Sequence, residues 1–266
     1  LPTRVLELSS TDRLILRNGR GRGIYCAYSG VAGGSERLTH TTTSNIMARM
    51  HGIPLETLPT SWRDAALLAR RLGFRYIWIE GLCVIHDDEQ SWREEFVKIS
   101  DYYRKATLVI ASAHSDSSGA LQRKRSTDST LLTAWAKRGW TIGERYLASR
   151  MLIIGNDQIY WNCNQSFWSE GSTVCLPPLW RIPGSAVRGG DRSIWYNLVE
   201  YHTSTEVTFQ SDRLVSLSSL AIAFASGNRY WAGIWQDDLH VGLLWRRAGS
   251  DIAFSDYAAP SWSWAS

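Results

Sequence analysis

The chain has 266 residues and a formal charge of +4, with 44% apolar and 20% charged residues. A chain of that length can bury a full core without disulfides or metal, and the composition is globular, neither disordered nor fibrous. The small, evenly mixed charge gives no mandate for nucleic acid or an acidic membrane. The longest apolar runs, such as Ala106 to Ala113, are too short to span a bilayer. No charged segment followed by an apolar stretch opens the chain as a signal peptide would. Cys26, Cys83, Cys163 and Cys175 are widely spaced and form no C-x-x-C pair. Buried free thiols in a reducing cytoplasm are therefore preferred to disulfides or metal. Fourteen tryptophans are many for this length. Core filling accounts for them better than an aromatic ligand cage.

The opening predicts strands at Arg4 to Leu8 and Arg13 to Leu16, with Asn18-Gly19 as a hairpin turn. The Arg20-Gly21-Arg22-Gly23 box reads as a connection rather than an RNA-binding element. Ile24 to Ser29 reads as a buried strand that ends in Ser29-Gly30 and a Gly33-Gly34 loop. Strand-to-glycine junctions of that kind are where α/β folds meet ligands, although neither a P-loop nor a dinucleotide G-x-G-x-x-G is present. A short helix is expected near Ser44 to Met50. Ser61 reads as the N-cap of a helix whose Trp62, Ala65, Ala66, Leu68, Ala69 and Leu72 recur at helical spacing, with Gly73 as the stop.

Tyr76 to Ile79 and Leu82 to Ile85 read as an almost uninterrupted apolar strand interrupted by Glu80. Ser91 and Glu94 read as a capping box for a helix with Trp92, Phe96, Ile99 and Tyr103 inward. Thr107 to Ala113 is a second buried strand, so the pattern is that of a βαβ unit in a parallel sheet. A polar loop from His114 to Thr130 leads to a helix over about Trp140 to Leu147, then to a hairpin around Gly155-Asn156-Asp157. The stretch to Gly190 reads as a long connection or lid. Helices are expected at Arg192 to Tyr201 and Asp212 to Ala225, with an irregular Trp-rich tail. His86 reads as a lone strand-end histidine, and no second histidine is spaced for metal binding.

Taken in order, several segments resemble one family. LPTRVLEL is similar to its opening, and IYCAYSGVAGG to its first block, YxALSYxWGG. RYIWIEGLCVIHDD, followed by SWREEFVKISDYYRKATLVIAS, is similar to the central block, YxWIDSLCIIQDD. RGWTIGERYLASR resembles RGWTLQERLLSxR, and YAAPSWSWAS the closing APSWSWAS. The chain thus resembles the fungal heterokaryon-incompatibility (HET) domain, a module that triggers cell death on non-self recognition. HET domains are in turn similar to TIR domains. The resemblance implies an α/β, TIR-like (flavodoxin-like) three-layer fold with a mainly parallel sheet, plus an N-terminal hairpin and a helical or irregular C-terminal extension. Residues 1–165 are expected to form the core and 166–266 the Trp-rich extension packed on it.

Some TIR domains cleave the nicotinamide–ribose bond of NAD with a glutamate in a W-C-x-x-E motif. The resemblance places that glutamate at Glu144, with Trp140 at the motif's first position and Thr141 where its Cys would stand. Glu95, beside Trp92, is the alternative catalytic residue. Ser29, Gly30, Glu80 and Trp140 are the expected nucleotide contacts, at the carboxyl ends of the strands. Each has a plainer reading: Glu144 as a surface acid near Arg145 or Arg138, Glu95 as a solvated helix residue, Glu80 as a partly buried hydrogen-bonded acid, Ser29 and Gly30 as turn residues. The sequence departs from the family pattern at Gly30, Ala32, Glu80 and Gly143, which puts activity, though not fold, in question. No cofactor or metal is required; NAD is the implied substrate. A protein partner or a second copy is expected on activation, and non-catalytic assembly is the competing function.

Overall fold

The computed structural model describes residues 1–8, 12–30, 39–113, 134–155, 158–172, 191–207, 209–225, 227–246 and 257–266. The expectations for Ala32 and the Gly33-Gly34 loop, the His114–Thr130 loop, Asn156-Asp157, Cys175 and residues 173–190 lie outside the described residues. The chain divides into two compact units, one of residues 1–136 with 147–180 and one of residues 137–146 with 181–266.

The first unit is built on a nine-stranded sheet. Its strands are β1 (Arg4–Glu7), β2 (Arg13–Asn18), β3 (Tyr25–Gly30), β4 (Ile53–Pro54), β5 (Tyr76–Trp78), β6 (Leu108–Ser112), β7 (Arg150–Ile154), β8 (Ile159–Cys163) and β9 (Phe167–Ser169). They lie in the order β4-β2-β1-β5-β3-β6-β7-β8-β9. The centre, β5-β3-β6-β7, is parallel, while both flanks are antiparallel. This is therefore a mixed sheet. The N-terminal hairpin is no appendage but extends the same sheet, because β1 pairs with both β2 and β5. Among the parallel strands the spatial order is second, first, third, fourth. The chain order thus reverses between β3 and β6, which makes their carboxyl ends a topological switch point. Every residue of β6 is buried, as is every residue of β3 up to Ser29; strands covered on both faces lose the alternation of polar and apolar residues.

Helices α1 (Ile46–His51), α2 (Thr60–Arg71), α3 (Glu80–Cys83) and α4 (Glu89–Lys105) connect the parallel strands, followed by α5 (Ala134–Lys137). Helix α2 buries Trp62, Ala65, Ala66 and Ala69 of the stripe that the spacing predicted, whereas Leu68 is half-buried and Leu72, past the helix end, is exposed.

Several local expectations are corrected. Asn18-Gly19 is not the turn between β1 and β2, which pair with Glu7 opposite Ile15 and Arg4 opposite Asn18. Asn18 instead ends β2, and Gly19 N–H donates to the Thr3 carbonyl at 2.8 Å. Helix α2 starts two residues early, after Pro59, whose carbonyl takes the Trp62 and Arg63 amides; Ser61 is buried inside it and does not cap it. Helix α4 is capped by Asp88, which accepts the Gln90 and Ser91 amides at 3.1 Å, so Ser91 already lies within it. Its buried stripe is rotated to Glu95, Ser100, Tyr102 and Tyr103, and Phe96 is only half-buried. The segment Leu82–Ile85 is no strand: the chain leaves the sheet after Trp78 and coils into α3, where Leu82 and Cys83 are buried. A short apolar run buried all round carries no periodicity that separates helix from strand.

The second unit holds α6 (Thr141–Leu147, as far as Tyr146), α7 (Arg192–Thr203), α8 (Asp212–Phe224), the two-stranded β10 (Tyr230–Trp231) and β11 (Ile234–Trp235), and α9 (Leu239–Gly242). Asp191 caps α7 by accepting Ser193 N–H at 3.0 Å. Trp195, Phe224, Tyr230 and Trp235 form one aromatic cluster with ring centroids 4.8–5.7 Å apart. Of the tail tryptophans, Trp235 thus fills a core with Trp195, while Trp231 and Trp262 are exposed. Gly143 stands where the family pattern has Gln. A Cβ there would lie 2.5 Å from Ser219 Oγ and 3.7 Å from Ser219 Cβ, so a larger residue would need the Ser219 hydroxyl to turn away.

Candidate functional site

The carboxyl edge of the parallel strands is the place to look for ligand contacts. Gly30 stands opposite Ser112 on β6, and Ala27 opposite Trp78 on β5. Glu80 follows two residues after Trp78, where the chain leaves the carboxyl end of β5. Ser29 is buried, and its Oγ accepts the Trp135 indole N–H at 2.7 Å. Gly30 carries the Tyr28 ring so closely that a Cβ would meet Tyr28 Oη at 2.2 Å. Glu80 opens α3 and is half-buried.

Residues 39–43 lie along the segment that follows β5. Thr41 N–H donates to Gly81, Thr41 Oγ1 to Leu82, and His86 N–H to Thr41, at 2.6–2.9 Å. Thr43 completes the strap through N–H and Oγ1 to the Asp87 carboxylate, both at 2.8 Å. These bonds hold the carboxyl of Asp87 below its ordinary range. The strap sets the His40 ring 4.0 Å from that of His86 and stacks it on Trp62. His86 is thus not solitary. Burial lowers its pKa, opposed by the charge and backbone of Glu80. Gly81 is the pivot of this packing, because a Cβ would fall 2.5 Å from Trp62 Cη2 and 2.9 Å from His40 Cδ2. Gly81→Ala is expected to cost about 1–3 kcal/mol in chemical denaturation by overpacking. A cost near zero would show that Trp62 and His40 have room to give.

Glu95 is a buried acid and not the solvated residue of its plainer reading. Its side chain accepts from Lys98 Nζ at 3.1 Å and from Tyr102 Oη at 2.9 Å. Tyr102 in turn contacts Thr3 Oγ1 at 2.8 Å. The carboxylate thereby ties α4 to the start of β1.

Trp140 and Glu144 lie in the second unit, both half-buried, with Glu144 in the first turn of α6. Next to it Arg145 is fully buried, with Nη1 donating to Tyr201 Oη at 3.1 Å and the guanidinium over the Tyr201 ring. Gly139 abuts His202, where a Cβ would come within 2.7 Å of Cε1, and the Trp264 ring meets the same histidine edge-on. The R-G-W and P-S-W-S-W segments, far apart in sequence, therefore converge on His202. That residue reads as unremarkable in the sequence, as do His40, Arg4 and Arg49. Only long-range packing shows them, and no local spacing could have.

Among the described residues no group of three or more His, Cys, Asp or Glu could hold a metal ion, and no helix is long and apolar enough to cross a membrane. No curated protein and no solved structure matches the chain. The family model described as "Heterokaryon incompatibility protein (HET)" matches residues 25–131. The match begins at β3 and takes in Ser29, Gly30, Glu80 and Glu95; Trp140 and Glu144 fall beyond it. Over this segment the chain is similar to the heterokaryon incompatibility (HET) family.

Proposed function

We propose that the chain is a cytoplasmic cell-death signalling module of fungal non-self recognition, acting by hydrolysis of NAD at the nicotinamide–ribose bond. The observation that carries this reading is the order of the parallel strands, second-first-third-fourth. It is the order of flavodoxin-like sheets, which bind nucleotides at the switch point, and the one expected of a TIR-like domain. Glu144 supports the catalytic assignment by its place in the chain, on the first turn of a helix between the third and fourth parallel strands.

Nicotinamide leaves as a neutral molecule, so the reaction needs little acid catalysis. The C–N bond breaks with its electron pair going to nicotinamide, and water adds to the ribosyl cation with loss of a proton. What the protein supplies is a carboxylate that stabilises the positive charge developing on the ribose. Glu144 is assigned that role, with Trp140 of the same unit beside it in the motif; Ser29, Gly30 and Glu80 are candidate nucleotide contacts of the first unit. Glu95 is the weaker choice, since Lys98 and Tyr102 engage its two oxygens. No cofactor is needed, and NAD is the substrate.

One observation favours the alternative, a non-catalytic module that assembles or recruits a partner. Leu239, Val241, Leu243 and Leu244 are 38–78% exposed in one short stretch of the second unit, and clustered exposed apolar residues mark interaction surfaces. Induced expression of the chain in fungal cells separates the two. The catalytic reading expects NAD to fall and viability to follow, and Glu144→Ala to abolish both. Undiminished killing by Glu144→Ala, with cellular NAD unchanged, would leave assembly as the function.

A further inference from the structure

Three buried nitrogen atoms at one place in the first unit have no hydrogen-bond partner: Arg4 Nη2, Arg49 Nη1 and His86 Nε2. They belong to one neighbourhood. Arg4 Nε donates to the Cys83 carbonyl at 2.7 Å. Arg4 and Arg49 both act electrostatically on the Cys83 thiol, and Arg49 also acts on His86. Arg49 Nη2 reaches the His40 carbonyl at 3.1 Å, and the His40 ring lies against His86. Strand β1 runs antiparallel to β5 with Leu6 opposite Ile77, which brings Arg4 to the carboxyl end of β5. The cluster therefore sits on the ligand-facing edge of the parallel sheet.

A buried donor left unpaired is destabilising, more so when charged, and native structures keep few of them. Here two are guanidiniums, and among the described ion pairs neither Arg4 nor Arg49 has a carboxylate. The nearby acids do not supply one. Glu95 is engaged by Lys98 and Tyr102, and Glu80 faces His86. Nor does Cys83 act as a thiolate, because burial pushes its pKa up to about 12. Removing one partner from a buried charge pair is strongly unfavourable, so a cluster of this kind calls for an acceptor from outside the chain. Two guanidiniums offer more donors than one carboxylate can take, and the His86 imidazole, whose other nitrogen bonds the Glu80 backbone, adds one at Nε2 when it is protonated. They suit the several oxygens of a phosphate.

We propose that Arg4, Arg49 and His86 form an oxyanion site at the carboxyl end of β5 that takes the phosphate or diphosphate group of a soluble ligand. The three nitrogens are closed to solvent in this conformation. The anion enters when the half-buried His40 ring swings away from His86, one side-chain rotation rather than a rearrangement of the sheet. The site deepens the proposed nucleotide function, since NAD carries a diphosphate, but it binds without turnover.

Calorimetric titration of the whole chain with inorganic pyrophosphate, inorganic phosphate and, as control, chloride tests the site. Pyrophosphate is expected to bind one per chain, with phosphate weaker and chloride silent. Arg4→Met, Arg49→Met and His86→Gln should each weaken pyrophosphate binding by roughly 10- to 100-fold. Glu144→Ala should leave it unchanged even though it would abolish nicotinamide release. Circular dichroism shows which variants fold, and Arg49→Lys, which keeps the charge but loses the planar fork, should bind at intermediate strength. Absence of pyrophosphate binding to the wild-type chain overturns the site. So does equal affinity in the folded Arg49→Met and His86→Gln variants, which would indicate an adventitious ion only. Failure of NAD cleavage with pyrophosphate binding intact would remove the catalytic reading and keep the site.

Discussion

Trp78→Ala is expected to lower the unfolding free energy by about 3–5 kcal/mol. Trp78 is fully buried on β5. Its ring is tilted against Tyr102 at 5.5 Å and meets Tyr103 edge-on at 5.4 Å. Tyr103 donates to the Tyr28 carbonyl at 3.1 Å, and Tyr25 donates to the Tyr102 carbonyl at 2.6 Å. Truncating the indole therefore opens a cavity between α4 and two parallel strands, and the surrounding aromatic rings are pinned by their hydroxyls and cannot collapse into it. Urea denaturation followed by circular dichroism measures the loss. A cost below about 1 kcal/mol would mean that the aromatic layer repacks freely.

The second large effect is a loss of stability on acidification, centred on His202. Burial pushes its pKa down from 6.5 to about 4. Its Nε2 lies 2.9 Å from the Arg213 carbonyl and 3.1 Å from Ser216 Oγ, and Nδ1 3.3 Å from Thr205 Oγ1. Between pH 6.5 and 4 the unfolded chain binds a proton at this residue that the folded chain refuses. Stability is therefore complete above pH 6.5, falls as the pH drops through that window, and levels off for this group below 4. The loss amounts to about 3 kcal/mol. Glu7 acts lower on the scale: Arg17 and Arg75 hold its carboxyl below 4.5, so its contribution is lost only in stronger acid. Denaturation midpoints at pH 7 and pH 5 should differ clearly in the wild-type chain and much less in His202→Gln. An equal slope in the two proteins would place the acid sensitivity elsewhere.

The parts of the fold legible in the sequence are those where burial is one-sided or complete. Helix α2 showed its stripe from Trp62 to Ala69, and β3 and β6 showed themselves as apolar runs flanked by glycine or polar residues. Where both helix and strand would be buried all round, as at Leu82 and Cys83, pattern alone gave the wrong element. Caps were misread where a nearby competitor stood closer to the helix start: Asp88 displaces Ser91, and Pro59 leaves no role for Ser61. The edge position of Ser29, Gly30 and Glu80 follows from strand-end geometry and was readable. The burial of Glu95 was not, because it depends on Tyr102 and Thr3 meeting across the fold. The pairing of His40 with His86 and the gathering of Arg4 and Arg49 around Cys83 are likewise tertiary events between residues distant in sequence. Gly143 shows the converse: a departure that weakens a helix interior when seen alone lies against the Ser219 hydroxyl of a helix distant in sequence.

Nicotinamide release from NAD by the purified chain, measured over rising protein concentration for the wild type and Glu144→Ala, tests the central claim most directly. The account predicts turnover by the wild-type chain, steepening as the chains crowd, and a loss of at least about 100-fold in a folded Glu144→Ala variant. No release at any concentration, or equal release by the variant, would contradict it.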